Sequence, residues 1–159
     1  MARSPMHRLA LVIATCGPLG SVPLAPGTAG SAAGLVLLWA VRTTGSAALE
    51  VAVVAAVATL GVWGAGVAER HFGRVDPGPV VIDEVLGQLV TLMLLPVNTT
   101  GVLAGFLVFR LLDIVKPWPA RRMEAWPGGL GVMADDGMAA VYGNVIMRGL
   151  IAVAPGWLT

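Results

Sequence analysis

The sequence has few charged residues, one cysteine and two histidines, and each shortage excludes a class of protein. Only 12% of the 159 residues are charged, whereas about 25% are charged in an ordinary soluble domain. The single Cys16 excludes an intrachain disulfide framework, and the scarcity of cysteine and histidine argues against a zinc site. A net charge of +1 without a basic stripe argues against nucleic-acid binding.

Apolar residues are the largest class in the chain, and they favour a membrane protein. They account for 57% of the chain, and the length suits one domain. We therefore predict an all-α fold, a small integral membrane helical bundle with short helices, forming a single domain over residues 1–159. The basic and apolar start of the chain imitates a signal peptide, but no cleavage pattern follows it, so we expect this segment to be retained.

The longest apolar run predicts a transmembrane helix. It begins after Ser46, a good N-cap, and reaches Ala68, and its 23 positions span about 34 Å, enough for the hydrocarbon core. The run 9–16 is too short to cross a bilayer. Further apolar helices are predicted over 32–41, 84–95, 102–112 and 137–154.

Glycine, proline and capping residues predict where these helices begin. Prolines and glycines predict that 17–30 is not helical, with Thr28 or Ser31 as the cap of the helix that follows. Thr99 or Thr100 is the predicted cap of the helix over 102–112. A loop is predicted over 128–131, followed by Asp135 and Asp136 in the N-cap and first turn of the last helix.

If consecutive helices run antiparallel, the charged segments collect at one face of the bundle. The count of helices places the glycine-rich segment 25–31 and all the clustered carboxylates on that face. Arg42 and Arg148 fall on the other face. The face with the carboxylates also receives most of the basic residues, and by the positive-inside rule it is therefore cytoplasmic. These basic residues are Arg3, Arg8, Arg70, Arg74, Arg110, Lys116, Arg121 and Arg122.

Carboxylates gathered at one face would repel each other unless a cation binds them. Hard divalent ions such as Mg²⁺ take oxygen ligands of this kind. The candidate ligands are Asp83, Glu84, Asp113, Asp135 and Asp136. Lys116 and Arg110 each lie three residues from Asp113 and suit a phosphate beside the metal. A capped helix start near Thr28, Gly30 and Ser31 can also bind an anion through free backbone N–H groups.

A purely structural interpretation stays open for several of these residues. The helix dipole alone also favours acidic residues in a first turn, as at Asp83 and Glu84. The segment around Thr28 is equally typical of a simple cap, and Arg121 and Arg122 are equally typical of interfacial anchors.

Four segments together resemble the phosphatidylglycerophosphatase A family in order and spacing. They are A-P-G-T-A-G-S (25–31), V-I-D-E-V-L-G (81–87), F-R-L-L-D-I-V-K-P-W-P (109–119) and G-G-L-G-V-M-A-D-D (128–136). The resemblance implies a multi-pass protein of the bacterial inner membrane with its active site facing the cytoplasm. It implies a Mg²⁺-dependent phosphatase that converts phosphatidylglycerophosphate to phosphatidylglycerol. The positions that match the family are Thr28, Asp83, Glu84, Arg110, Asp113, Lys116, Asp135 and Asp136.

These expectations define a site. The catalytic residues would be Asp83, Asp113, Lys116, Asp135 and Asp136, with Asp135 or Asp136 as nucleophile or base. Phosphate would be bound by Thr28, Gly30, Ser31, Arg110 and Lys116, and the metal by Asp83, Glu84, Asp113, Asp135 and Asp136. The expected partners are the lipid substrate and the bilayer, and a homodimer stays open.

Two other functions remain as alternatives. D-D-G-M-A-A is superficially similar to the motif of CDP-alcohol phosphatidyltransferases, but no further acidic residue follows Asp136. A small membrane carrier subunit would also hold intramembrane carboxylates, although it predicts acids in the middles of helices rather than at their ends.

Overall fold

The structure is a computed structural model that describes residues 4–159; Arg3, which the helix count assigns to the cytoplasmic face, lies outside them. Every regular element within 4–159 is a helix, which confirms the all-α prediction. The helices are α1 Pro5–Ala14, α2 Pro26–Arg42, α3 Ala47–Phe72, α4 Ile82–Leu92, α5 Thr99–Val115, α6 Ala120–Met123, α7 Gly129–Val153 and α8 Pro155–Leu158, with a 3-10 turn at Leu19–Ser21.

The short helix α4 forms the centre of the bundle. Nine of its eleven residues are buried, and it packs against α2, α3, α5 and α7. Its apolar residues, such as Leu89 and Leu92, form the core together with Met133 and Met147 of α7. Because α4 is surrounded on all sides, it is apolar around most of its circumference rather than along one stripe.

The carboxyl end of α4 lies inside the molecule, where side chains from other helices bind its free carbonyl groups. Asn144 of α7 donates through Nδ2 to the carbonyl oxygens of residues 90, 91 and 93 at 3.0–3.2 Å. Arg42 of α2 donates to the carbonyl oxygen of Leu92 at 2.6 Å. These bonds satisfy the last carbonyls of the helix, which would otherwise be buried without partners.

Glycines let α2 approach α4 closely. A Cβ added to Gly30 would lie 2.7 Å from the carbonyl oxygen of Val81, and one added to Gly34 would lie 2.9 Å from Cβ of Gln88. Both distances are shorter than real Cβ contacts. Larger residues would therefore push the two helices apart.

Within residues 4–159, α3 is the one helix that is long and apolar enough to cross a membrane, judged by length and composition. Ser46 caps it as predicted, since its side chain accepts the N–H of Leu49 at 3.2 Å. With eleven residues, α4 is too short to span a bilayer. The integral membrane bundle as a whole stays a prediction.

Three predicted helix starts are wrong. α2 begins at Pro26, so Thr28 and Ser31 lie inside the helix and neither caps it; proline is well suited to the first position of a helix. α5 begins at Thr99, because the side chain of Asn98, rather than of Thr99 or Thr100, accepts a backbone N–H, that of Gly101 at 3.0 Å.

The third wrong start is that of the last helix. α7 begins at Gly129, within the predicted loop over 128–131, so Asp135 and Asp136 lie about two turns inside it rather than at its N-cap and first turn. Gly129 lies against the backbones of Val62 and Gly66 in α3, where a side chain would not fit.

Candidate active site

The predicted convergence of charged segments is confirmed at one end of the bundle. The starts of α2 and α4 meet the end of α5 there, together with the second and third turns of α7. The opposite end holds a separate ion pair between Arg42 and Glu50, with Nη2 and Oε1 3.2 Å apart. The helix count therefore separated Arg42 correctly from the charged residues that the structure brings together, namely Asp83, Glu84, Arg110, Asp113, Lys116, Asp135 and Asp136.

Three of the five predicted metal ligands converge. One carboxylate oxygen from each of Asp83, Glu84 and Asp136 lies within 4.8 Å of the others. Asp83 is 6% exposed and Asp136 2%, and atoms Oδ1 of Asp83 and Oε2 of Glu84 are buried without a hydrogen-bond partner. Such atoms are costly to bury unless something binds them.

This donor set fits a hard divalent cation. All its atoms are carboxylate oxygens, and ligands on opposite sides of a Mg²⁺ ion are about 4.2 Å apart, so small side-chain movements would complete the contact. Burial is the largest cause that raises the pKa of Glu84, to about 7. Burial also raises the pKa of Asp83, and the neighbouring Glu84 raises it further. Both shifts reflect carboxylates that are buried close to one another.

The other two predicted ligands each pair with a basic residue. Nη1 of Arg110 lies 2.6 Å from Oδ2 of Asp113 and 3.8 Å from Oε1 of Glu84, although the angles of Nη1 do not fit a hydrogen bond. Asp135 accepts a hydrogen bond through Oδ2 from Nζ of Lys116. Asp113 and Asp135 are thus the carboxylates that Arg110 and Lys116 contact most closely, whereas Glu84 and Asp136 lie 3.8 and 3.9 Å from the same two cations.

Lys116 reaches α7 because the helix before it ends. It is the C-cap of α5, with a left-handed φ of 45°, and Nζ lies 3.9 Å from Oδ1 of Asp136 in addition to its bond with Asp135. Burial lowers the pKa of Lys116, but the hydrogen bond and charge of Asp135 raise it by more, so the pKa is above its ordinary value. Lys116 therefore carries a stable positive charge beside the carboxylates.

The predicted phosphate-binding residues of α2 lie along its first two turns. Thr28 is exposed, whereas Gly30 and Ser31 are buried, and Oγ of Ser31 has no hydrogen-bond partner. A Cβ on Gly27 would lie within 3.0 Å of Oε1 of Glu84. The start of α2 is therefore part of the wall of the site, and the binding roles of its residues stay predictions.

Two polar residues near the site are missing from the sequence-based prediction. Gln88, one turn after Glu84, is fully buried with both amide atoms unpartnered; its position four residues after Glu84 in an apolar helix was a usable signal. Asp76 lies half-buried in the loop between α3 and α4. Its setting, D-P-G-P, is typical of a turn and gave no signal of a site.

The arrangement puts oxygen ligands of the kind that a divalent cation takes next to a positive charge of the kind that a phosphate takes. The convergent carboxylates supply oxygen ligands, and Lys116 supplies a charge that suits a phosphate oxygen. Positioning and charge neutralisation of this kind are the main requirements of phosphoryl transfer.

Comparisons with known proteins point the same way. Residues 12–151 match the family described as Phosphatidylglycerophosphatase A. A protein of Bacteroides thetaiotaomicron, named provisionally as a phosphatidylinositol-3-phosphatase, is 39% identical over 92% of this chain and 93% of its own. The phosphatidylglycerophosphatase A of Escherichia coli is 38% identical over 91% of this chain and 82% of its own. That of Haemophilus influenzae is 32% identical, with 91% and 87% covered. No solved structure matches the chain.

Proposed function

Because the chain belongs to the phosphatidylglycerophosphatase A family and is therefore a phosphatase, we propose that it removes the terminal phosphate of phosphatidylglycerophosphate to give phosphatidylglycerol. The observation that carries this proposal is the placement of Lys116 beside Asp135 and next to the buried group of Asp83, Glu84 and Asp136. A phosphate bound by Lys116 would lie next to those three carboxylates.

Mg²⁺ is the proposed cofactor, and Asp83, Glu84 and Asp136 are the side chains that would hold it. When bound, the ion would withdraw electron density from the phosphorus centre and neutralise the phosphate oxygens. The unpartnered oxygens of Asp83 and Glu84 support this assignment, since a cation would satisfy both. Asp113, held by Arg110, would close the site from α5.

Lys116 and Asp135 are proposed to act together during hydrolysis. Lys116 would exchange Asp135 for an oxygen of the incoming phosphate, which frees Oδ2 of Asp135. Asp135 then accepts a proton from the attacking water as the bond from water oxygen to phosphorus forms. The bond from phosphorus to the lipid glycerol oxygen breaks on the opposite side of phosphorus, that oxygen takes a proton from water, and Asp135 returns its proton to solvent. The start of α2, with Thr28, Gly30 and Ser31, and Arg110 would position the phosphate.

A lipid substrate would place the site at a membrane surface. We propose a multi-pass arrangement in the bacterial inner membrane, with α3 as one span and the active site facing the cytoplasm. The length of α3 supports a span, and the basic residues around the site support that orientation.

Phosphate release by the purified protein tests this function. We expect release from phosphatidylglycerophosphate to exceed release from phosphatidylinositol 3-phosphate and phosphatidic acid, and to need Mg²⁺. Asp136→Asn and Lys116→Met should each lower kcat/KM by a factor of about 100 or more. A preference for phosphatidylinositol 3-phosphate would refute the substrate, and full activity in chelator or in Asp136→Asn would refute the mechanism.

A further inference from the structure

We propose that Gln88 is a positioning residue of the active site, whose side-chain amide links the Glu84 carboxylate to the Ser31 hydroxyl and so orients Glu84 toward the bound cation. The proposal rests on the proposed function, because it concerns the cation of the same site. It is based on the burial of the Gln88 amide, on the contacts that place Gln88 beside Glu84, and on the match between the hydrogen-bond donors and acceptors of the three side chains.

The amide of Gln88 is buried without a hydrogen-bond partner. Gln88 is 0% exposed, and neither Oε1 nor Nε2 has a partner among residues 4–159. A buried amide that makes no hydrogen bond costs free energy, and the few such groups in native proteins often have a catalytic role or meet an ion or a water molecule. An apolar side chain would fit this core position at lower cost, so the amide calls for a functional explanation.

Close contacts with α2 place Gln88 beside Glu84. A Cβ added to Gly34 would lie 2.9 Å from Cβ of Gln88. One added to Gly30 would lie 3.3 Å from Cβ of Glu84. Both side chains therefore leave α4 on the side that faces α2, one turn apart, a spacing at which Cβ atoms are about 5–6 Å apart. Long side chains in a helix turn back toward its N-terminus, and this direction takes the amide of Gln88 toward Glu84.

Ser31 brings a third unpartnered side chain to the same interface. It is 0% exposed, and Oγ has no hydrogen-bond partner among residues 4–159. Ser31 shares one face of α2 with Gly34, three residues later, and that face packs against Gln88. The hydroxyl therefore belongs to the same contact between α2 and α4 as the amide.

The donors and acceptors of these three side chains are complementary. An amide donates through nitrogen and accepts through oxygen, a hydroxyl can donate, and an ionised carboxylate only accepts. Nε2 of Gln88 can therefore donate to Oε2 of Glu84, which is buried without a partner, while Oε1 of Gln88 accepts the hydrogen of Ser31. These two bonds, formed by side-chain rotation, would satisfy all four atoms.

The two bonds would act on the site when a cation is bound. A carboxylate oxygen can bind a metal ion and accept a hydrogen bond at the same time, and carboxylates that bind metals are usually held by such bonds. Held by Gln88, Glu84 would keep one orientation relative to Asp83 and Asp136. Ser31 would act on the site through Gln88, because its hydroxyl has a single hydrogen to donate.

Gln88→Met tests this role, because it removes the amide and keeps a side chain of similar length. The Mg²⁺ concentration that raises the melting temperature by a given amount, measured without substrate, should be about tenfold higher than for the wild type. Half-maximal phosphate release should need more Mg²⁺ by the same factor, whereas kcat and the KM for the lipid at saturating Mg²⁺ should stay unchanged. In chelator the melting temperature should not fall, because the amide that is lost has no partner there.

Thr91→Val is the matched control. Thr91 lies three residues further along α4 and is also fully buried with an unpartnered Oγ1, but this atom faces α7, where a Cβ on Gly143 would lie 2.9 Å from it. The variant should leave the Mg²⁺ dependence unchanged. If Gln88→Met melts at a lower temperature in chelator, Ser31→Ala provides a second variant, which should shift the Mg²⁺ dependence in the same direction. Ser31→Ala added to Gln88→Met should cause no further shift.

An unchanged Mg²⁺ dependence in Gln88→Met or Ser31→Ala, an equal shift in Thr91→Val, or a loss of kcat that saturating Mg²⁺ does not restore would overturn the proposal. Measurements on the wild-type protein separate these outcomes from a failure of the proposed function. If Mg²⁺ leaves the wild-type melting temperature unchanged, the proposed cofactor fails and the role of Gln88 fails with it. If the wild-type protein prefers another phosphate ester, the proposed substrate fails, but the melting measurements still decide the role of Gln88.

Discussion

The contact between Gly27 and Glu84 provides a test in which activity and stability should separate. In Gly27→Ala the new Cβ would lie less than 3.0 Å from Oε1 of Glu84 and 3.1 Å from both terminal nitrogens of Arg110. These atoms end flexible side chains, so they can retreat by about 1 Å with little effect on packing. Alanine also favours the helix over glycine by up to about 1 kcal/mol.

The catalytic consequence should be much larger than the structural one. A displacement of about 1 Å in a catalytic constellation can lower the rate about 100-fold. We therefore expect Gly27→Ala to lower kcat/KM by a factor of about 10 to 100 without lowering the melting temperature, because Glu84 no longer meets Asp83 and Asp136 in the same geometry.

Phosphate release and thermal melting in the same detergent measure the two effects. Gly149→Ala is the matched control: it makes the same substitution in α7, where an added Cβ meets nothing within 4 Å, and should keep full activity. Wild-type kcat/KM in Gly27→Ala, or a loss of activity fully explained by unfolding, would show that the position of Glu84 in the active form does not depend on the space beside Gly27.

Two further predictions concern the opposite end of the bundle and the response to pH. Glu50→Ala removes the carboxylate that binds Arg42 and that accepts the N–H of Leu94 through Oε1 at 2.8 Å. We expect the free energy of unfolding to fall by about 2–3 kcal/mol, while kcat/KM below the melting temperature stays unchanged. Reduced activity in the folded variant would contradict the separation of the two ends. In chelator the melting temperature should fall as pH rises from about 4.5 through 7. The reason is that the raised pKa of Glu84 makes the folded state hold more protons than the unfolded state in that range. Mg²⁺ should reverse the fall, and a melting temperature that rises with pH in chelator would contradict the prediction.

The sequence predicted correctly which charges meet, because that result depends on the number of helices rather than on their exact ends. Asp83 and Asp136 are separated by two predicted helices and a long connection, yet an antiparallel count places both at one end. The capping of α3 by Ser46 was also predictable, since the signal is local and the helix is long.

Two of the three wrong helix starts, those of α2 and α7, lie where glycines occur inside a closely packed helix. Gly27 and Gly129 suggest helix breaks in the sequence, but both lie in helices, Gly27 against side-chain ends of Glu84 and Arg110 and Gly129 against the backbone of α3. The partner of Lys116 could not be predicted from the local spacing of residues either. Its distance from Asp113 suggested one helical face, whereas α5 ends at Val115 and the left-handed conformation of Lys116 directs it to α7.

The capped end of α4 has a consequence for the order in which the protein is made. The carbonyls of this helix are bound by Asn144, which follows them by more than 50 residues along the chain, and Asp136 comes from the same late helix. During synthesis, α4 must therefore wait for α7 before it is fully hydrogen-bonded, a delay set by contacts between distant parts of the chain. A nascent chain that stops before α7 lacks both the cap of α4 and the third carboxylate of the site. The core around α4 and the active site are thus completed together, late in synthesis.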